Sequence, residues 1–230
     1  MASGPLIGNR LALAGAILYL LEWVAIAFIA ELPTDRLGED AASIAEAYSG
    51  EARSAALAAG WFSAVLLGRI LFIVAVRKAF RDSGRESALL DFAVGAMTVS
   101  VAIEIVSLSL APAAAWLADN DADPATIVAL DAAGSISFLM VFGPIGLSVL
   151  ASSAAIVGSG LFARWVGWLG VAAGALMITG GILGAAALGD DGGFKDWGEQ
   201  PSAFGAVGFW IWMLATSVIL WRRAPRRTAA

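Results

Sequence analysis

Six apolar segments, each long enough to cross a bilayer, constrain this chain more than any other feature. They fall near Leu11–Ala30, Leu57–Val76, Leu89–Ala111, Ile127–Val157, Trp165–Leu188 and Phe204–Trp221. A hydrocarbon core ~30 Å thick needs about 20 helical residues at 1.5 Å each, and inside it the backbone has to satisfy its own hydrogen bonds. Only 14% of the 230 residues are charged, against roughly 25% in soluble domains. The expected fold is all-α, a polytopic transmembrane bundle of six spans forming one domain over residues 1–230. The first segment reads as a retained helix, since no small-residue cleavage site follows it before Glu31.

The charges sort by loop. Arg10, Arg77, Lys78, Arg81, Arg85, Arg164, Arg222, Arg223, Arg226 and Arg227, ten basic residues, fall on one side; Arg36, Arg53 and Lys195 fall on the other. The second side also holds thirteen acids: Glu31, Asp35, Glu39, Asp40, Glu46, Glu51, Asp119, Asp121, Asp123, Asp190, Asp191, Asp196 and Glu199. Positive charge is retained on the cytoplasmic side, so both termini are expected there, in a cell (inner) membrane. The Arg-rich tail is a topology anchor beside anionic lipid, and no nucleic-acid partner is expected.

Local signals agree with these spans. Asp123 and Pro124 suit the N-cap and first position of a helix, and Pro144 predicts a kink within it. Trp61, Trp116, Trp165, Trp168 and Trp221 lie where an interfacial aromatic belt would stand. The segment from Asp35 to Gly60 is compatible with a surface helix. The fifth span carries Gly170, Gly174, Gly180 and Gly184 at four-residue spacing, which lets another backbone approach closely. Packing inside the bundle is the expected use, with a homo-oligomer face as the alternative.

With neither Cys nor His in the chain, thiolate chemistry, imidazole bases and the usual zinc and haem ligands are excluded. No metal site, cofactor or catalytic residue is expected, and an enzyme is the least favoured class. What remains are ionisable residues inside or at the edge of spans: Glu22, Arg69, Glu104 and Asp131. Each mid-span charge costs ~2.5–3.5 kcal/mol on insertion scales, so such residues face the bundle interior and pair. Counted from the expected cytoplasmic ends, Arg69 lies about 10 Å deep, Glu22 about 16 Å and Glu104 about 22 Å. That order makes Glu22 the counter-ion of Arg69 and leaves Glu104 as the acid able to change state. Asp131 belongs at the outer edge. Tyr19 falls on the Glu22 face, Ser100 and Ser107 on the Glu104 face, and Ser135 on the Asp131 face.

Two stretches resemble a known group. "IAEAYSGEARSAALAAGWFSAVLLGRILFIVAVRKAFRDSG" and "DPATIVALDAAGSISFLMVFGPIGLSVLASSAAIVGSGLFARWVGWLGVAAGALMITGG" are similar to actinobacterial integral membrane proteins of the DUF4386-like type. There a basic residue and Trp precede a glycine-rich span, as in "ARWVGWLG" here. The resemblance covers about residues 40–185. It implies a six-span helical fold of unknown activity and carries over no site residue.

Two functions fit these residues. The first is a small transporter-like or ligand-binding protein whose acidic, Arg-anchored pocket takes a proton, a cation or a small polar ligand. The second is a non-catalytic membrane partner or assembly subunit packing through the glycine face. The orientation is open to direct test, because single cysteines can be introduced without background. Cells labelled with an impermeant thiol reagent should protect Ser83→Cys and label Ser202→Cys; the opposite pattern would invert the topology.

Overall fold

The structure is a computed structural model and describes residues 6–28, 39–187 and 199–222. Ten helices occupy these residues, and no strand is found among them. Span one is α1 (Leu6–Leu20) and α2 (Glu22–Phe28). Span two is α4 (Ala52–Val65) and α5 (Leu67–Asp82), preceded by the short α3 (Ala41–Tyr48). Span three is α6 (Ala88–Ala118), and span four is α7 (Pro124–Leu139) with α8 (Phe142–Ser159). Spans five and six are α9 (Arg164–Ala186) and α10 (Glu199–Arg222). Six continuous stretches are long and apolar enough to cross a membrane, as the sequence leads one to expect. The acidic residues from Asp190 to Asp196 and the tail after Arg222 lie outside the described residues.

The helices close into a ring. α1 packs on α5, α5 on α6, α6 on α8, α8 on α9, α9 on α10, and α10 returns to α1. Buried side chains from all of these form one core, including Phe72, Met97, Val149, Phe209, Trp212 and Met213. Hydroxyls tie neighbours together across the core. Ser148 donates to the Ala93 carbonyl at 2.7 Å, Ser107 to Gly134 at 2.7 Å and Ser217 to Ala12 at 3.1 Å. With no water to compete, such bonds help fix which helix sits beside which.

Glycines set the closest approaches. A Cβ on Gly68 would stand 2.5 Å from the Gly15 carbonyl oxygen and 2.6 Å from the Tyr19 nitrogen, so α1 and α5 touch backbone to backbone. On the far side of the ring, a Cβ on Gly174 would meet the Gly146 oxygen at 2.7 Å, and one on Gly170 would collide with Ser153 and Trp212. Gly170 and Gly174 are therefore packed against α8 and α10 within one chain. Gly180 and Gly184 are also buried.

Three spans are interrupted. Backbone bonding tightens from the four-residue to the three-residue register at Val24 to Leu21, at Arg69 to Leu66, and at Met140 and Val141 to Ser137 and Phe138. Only the third has the expected proline cause: Pro144 lacks the N–H that the Met140 carbonyl would receive. At the other end of the same span, Asp123 caps α7 by accepting from the Ala125 N–H at 3.0 Å, with Pro124 in the first turn.

Several boundaries differ from expectation. α5 continues to Asp82, six residues past Val76, because Arg77, Lys78 and Arg81 stay helical, Lys78 bonding Asp82 one turn on and Arg77 pairing with Asp91 of α6. α6 passes through Pro112 and ends at Ala118. α4 starts at Ala52, which moves Trp61 away from a span end; its indole donates to the Leu21 carbonyl at 2.8 Å. Ser202 is buried, so Asn120, which is exposed, is the better cysteine reporter for that side.

At the acidic end α3 packs against α6 and α7 and against the start of α4. Its Ile44 and Tyr48 are buried with Ala55, Ala111, Ala114, Ala115 and Ile127. Asp40 caps its start through the Ser43 N–H, and the Asp119 carboxylate receives the Gly50 N–H at 2.6 Å.

The α1–α5 contact yields a stability prediction. Gly68→Ala should lower unfolding stability by about 1–3 kcal/mol, because backbone has to move to admit the methyl. Gly95→Ala meets nothing within 4 Å and should be neutral or slightly stabilising, as Ala is the better helix former. Denaturation of both variants in detergent decides it; equal behaviour would mean that the backbones do not meet as drawn.

Candidate intramembrane site

The Gly15–Gly68 crossing is what assembles the site. It brings Arg69, the residue after Gly68, against Tyr19 of α1, and the guanidinium carbon lies 5.1 Å from the centre of the Tyr19 ring. Arg69 is 2% exposed and Tyr19 5%. A desolvated cation over an aromatic face gains ~2 kcal/mol or more. On its other side Arg69 reaches α6, where Nη2 forms an ion pair with the Glu104 carboxylate, itself buried. Pairing is the condition for keeping a guanidinium in an apolar bundle.

Glu22 is the first residue of α2, directly after the interruption at Leu21. The charges of Glu104 and Arg69 act on it, and Tyr19, one turn earlier, hydrogen-bonds its carboxyl group, yet its Oε2 is buried and accepts no hydrogen bond. The pairing is thus the reverse of the one expected from depth. Arg69 is committed to Glu104, and Glu22 is the acid with a free oxygen. Depth does not choose between the two acids: counted from Asp82, Arg69 lies about 20 Å in, against ~24 Å both for Glu104 counted from Ala88 and for Glu22 counted from Leu6.

The other expected residues divide. Ser100 lies on the buried stripe of α6 with Glu104 and donates to the Met97 carbonyl of its own helix at 2.8 Å. Ser107, one turn beyond Glu104, bridges to α7. Asp131 is not at a wetted edge but 4% exposed, accepting from the Tyr48 hydroxyl at 2.7 Å under the α3 cap. Ser135 is half-buried one turn further along α7. Tyr19, Glu22, Arg69 and Glu104 therefore form one cluster, with Asp131 and Tyr48 a second polar contact nearer the acidic end.

Sequence reading missed the aromatic wall contributed by α10. Tyr19 stands 5.9 Å from Phe209 and 6.4 Å from Trp210 between ring centres, and Trp210 meets Trp23 edge-on at 4.8 Å. Nε of Arg69 is buried without a hydrogen-bond partner, and the Trp210 indole interacts with the Tyr19 hydroxyl. The sequence signal for this wall was present in "FWIWM", where aromatic residues recur through the middle of a span rather than at its ends.

A family described as a domain of unknown function, DUF4386, matches residues 11–216. The chain belongs to the DUF4386 family. The match runs from α1 into α10 and takes in Tyr19, Glu22, Arg69 and Glu104, a wider stretch than the resemblance seen by eye. No curated protein and no solved structure matches the chain.

Removing one partner from a buried ion pair leaves an uncompensated charge, at about 3–5 kcal/mol. Arg69→Ala should therefore destabilise this DUF4386 protein strongly. Glu22→Gln should change stability by less than ~1 kcal/mol, since the amide oxygen still accepts from the Tyr19 hydroxyl. Unfolding in detergent ranks the two; an Arg69→Ala variant as stable as the parent would remove the cluster from consideration.

Proposed function

We propose that this DUF4386 protein is a small transporter-like or ligand-binding membrane protein whose working site is the Tyr19–Glu22–Arg69–Glu104 cluster. The reading fits a cell membrane location with both termini cytoplasmic, as the separation of basic from acidic loops favours. One observation carries it: beside a satisfied, buried Arg69–Glu104 pair stands a second acid, Glu22, with an unpartnered buried oxygen. When all three groups are ionised the cluster has one negative charge in excess. Uptake of one proton or one monovalent cation makes it neutral, and the group that takes it is Glu22, because Glu104 is already engaged.

The helix interruptions favour the same reading. Span one tightens at Leu21, immediately before Glu22, and span two at Leu66, three residues before Arg69. Short three-residue turns within a helix often mark hinges, and discontinuous spans recur around the binding sites of membrane carriers. A hinge at each point would let Glu22 move relative to the Arg69–Glu104 pair and exchange its proton or cation. The Gly170–Gly174 face, needed by the assembly-subunit alternative, is already occupied inside the chain.

Infrared difference spectra taken between acid and neutral pH test the assignment. A protonated-carboxyl band should be present in the parent, persist in Glu104→Gln and vanish in Glu22→Gln. Survival of the band in Glu22→Gln would reassign the exchangeable acid, and its absence from the parent would leave only a helix-fixing ion pair.

A further inference from the structure

We propose that the basic end of the bundle holds an anionic phospholipid by its headgroup, on a surface formed by Arg81, Arg85 and Arg164. This surface is separate from the intramembrane cluster and independent of Glu22. The structure sorts the basic residues of this end into two kinds. Arg77 pairs with Asp91 and Lys78 with Asp82, so those two cations are neutralised within the chain. Arg81, Arg85 and Arg164 are exposed and enter no ion pair among the described residues.

Two connections far apart in sequence bring the three together. After α5 the Arg85 N–H donates to the Phe80 carbonyl at 3.0 Å, with Gly84 left-handed at φ 74°, so the chain folds back over the last turn of its own helix. The Phe80 ring stacks on Phe162 at 6.1 Å between centres, and both rings are buried. Phe162 stands two residues before Arg164, the first residue of α9, and Arg81 directly follows Phe80. One aromatic stack thus anchors the backbone beside all three arginines. The remaining acid of this stretch, Glu86, offsets one of the three charges, which leaves a surplus of two positive charges.

The neighbours of Arg164 identify the partner as a lipid. Trp165 and Trp168, three residues apart on one face of α9, are 57% and 60% exposed. Exposed indoles at the end of a span take the level of the headgroups, which puts Arg164 among lipid phosphates rather than in open water. Guanidinium groups suit phosphate oxygens because their N–H donors bind two at a time. A zwitterionic lipid would bring its own ammonium to a surface already positive, so the surplus selects an anionic headgroup. A soluble phosphate lacks the acyl chains that the two indoles border.

The full chain in detergent micelles can be titrated with phosphatidylglycerol, with phosphatidylcholine as the zwitterionic comparison, and the bound lipids counted by native mass spectrometry. Phosphatidylglycerol should bind saturably and the more tightly of the two. Arg81→Gln, Arg85→Gln and Arg164→Gln, all at exposed positions, should each weaken it about fivefold, the worth of one cation beside an anionic surface. Arg222→Gln, which removes an exposed cation from the end of α10, should leave binding unchanged, as should Arg53→Gln on the acidic side. A loss in Arg222→Gln equal to that in the other three would overturn a defined site and leave only the general attraction of a basic end. Equal binding of the two lipids would overturn the anionic assignment. Displacement by glycerophosphoglycerol, the same headgroup without acyl chains, would replace the lipid with a soluble phosphate ester and overturn the proposal.

Discussion

A guanidinium in the middle of a hydrocarbon-embedded bundle has to be neutralised and covered, and much of this structure follows from how Arg69 meets that demand. The Glu104 carboxylate binds α5 to α6, and the Tyr19 ring covers the opposite side and binds α5 to α1. The second contact depends on the close approach of α1 and α5. Gly68 and Gly15 remove the intervening Cβ atoms and let α1 and α5 touch. The glycines therefore act on the electrostatics, since a methyl at Gly68 would push the Tyr19 backbone away from the very charge that its ring covers.

Much of this was legible from residue types and spacing, and the failures have identifiable physical causes. Span number followed from run length, and the start of α7 followed from Asp123 and Pro124, because an Asn/Asp-type cap and an N-terminal proline satisfy local backbone groups whatever the tertiary context. The Pro144 kink was equally local. By contrast, the partner of Arg69 was misassigned because depth along a helix does not say which neighbour a side chain faces, and the depth of Arg69 itself was counted from an apolar boundary. Arg77, Lys78 and Arg81 ended the hydrophobic run without ending the helix, since Lys78–Asp82 and Arg77–Asp91 contacts hold that last stretch in place.

The residues that escaped prediction share one property: they act through azimuth rather than through position along the chain. Trp61 seemed an interfacial residue until its indole was found on the Leu21 carbonyl. Asp131 seemed a wetted edge until α3 brought Tyr48 over it. Gly15 and Gly68 differ little from other glycines in sequence, such as Gly95, and only the helix crossing distinguishes a required absence of Cβ from an incidental one. Hydropathy reports how long a segment is and how apolar, but four or five helices compete to face any given side chain. That competition is settled by small-residue contacts that leave a weak periodic trace.

The two acids differ in where each sits relative to the tightened turns. Glu104 is in the body of the continuous α6, buried and opposite Arg69, so losing its charge would strand a cation in the driest part of the bundle. Glu22 begins a half-helix of seven residues, immediately beyond a tightened turn, with aromatic rings and partial exposure around it. On the proposed function its charge is cancelled by a proton or a cation without breaking the Arg69–Glu104 bond. A fixed pair and an exchangeable acid side by side then divide stability from binding, with Tyr19 in contact with both. The negative charge surplus falls on Glu22, whose Oε2 has no hydrogen-bond partner, and the proposed exchange of a proton or cation rests on that surplus.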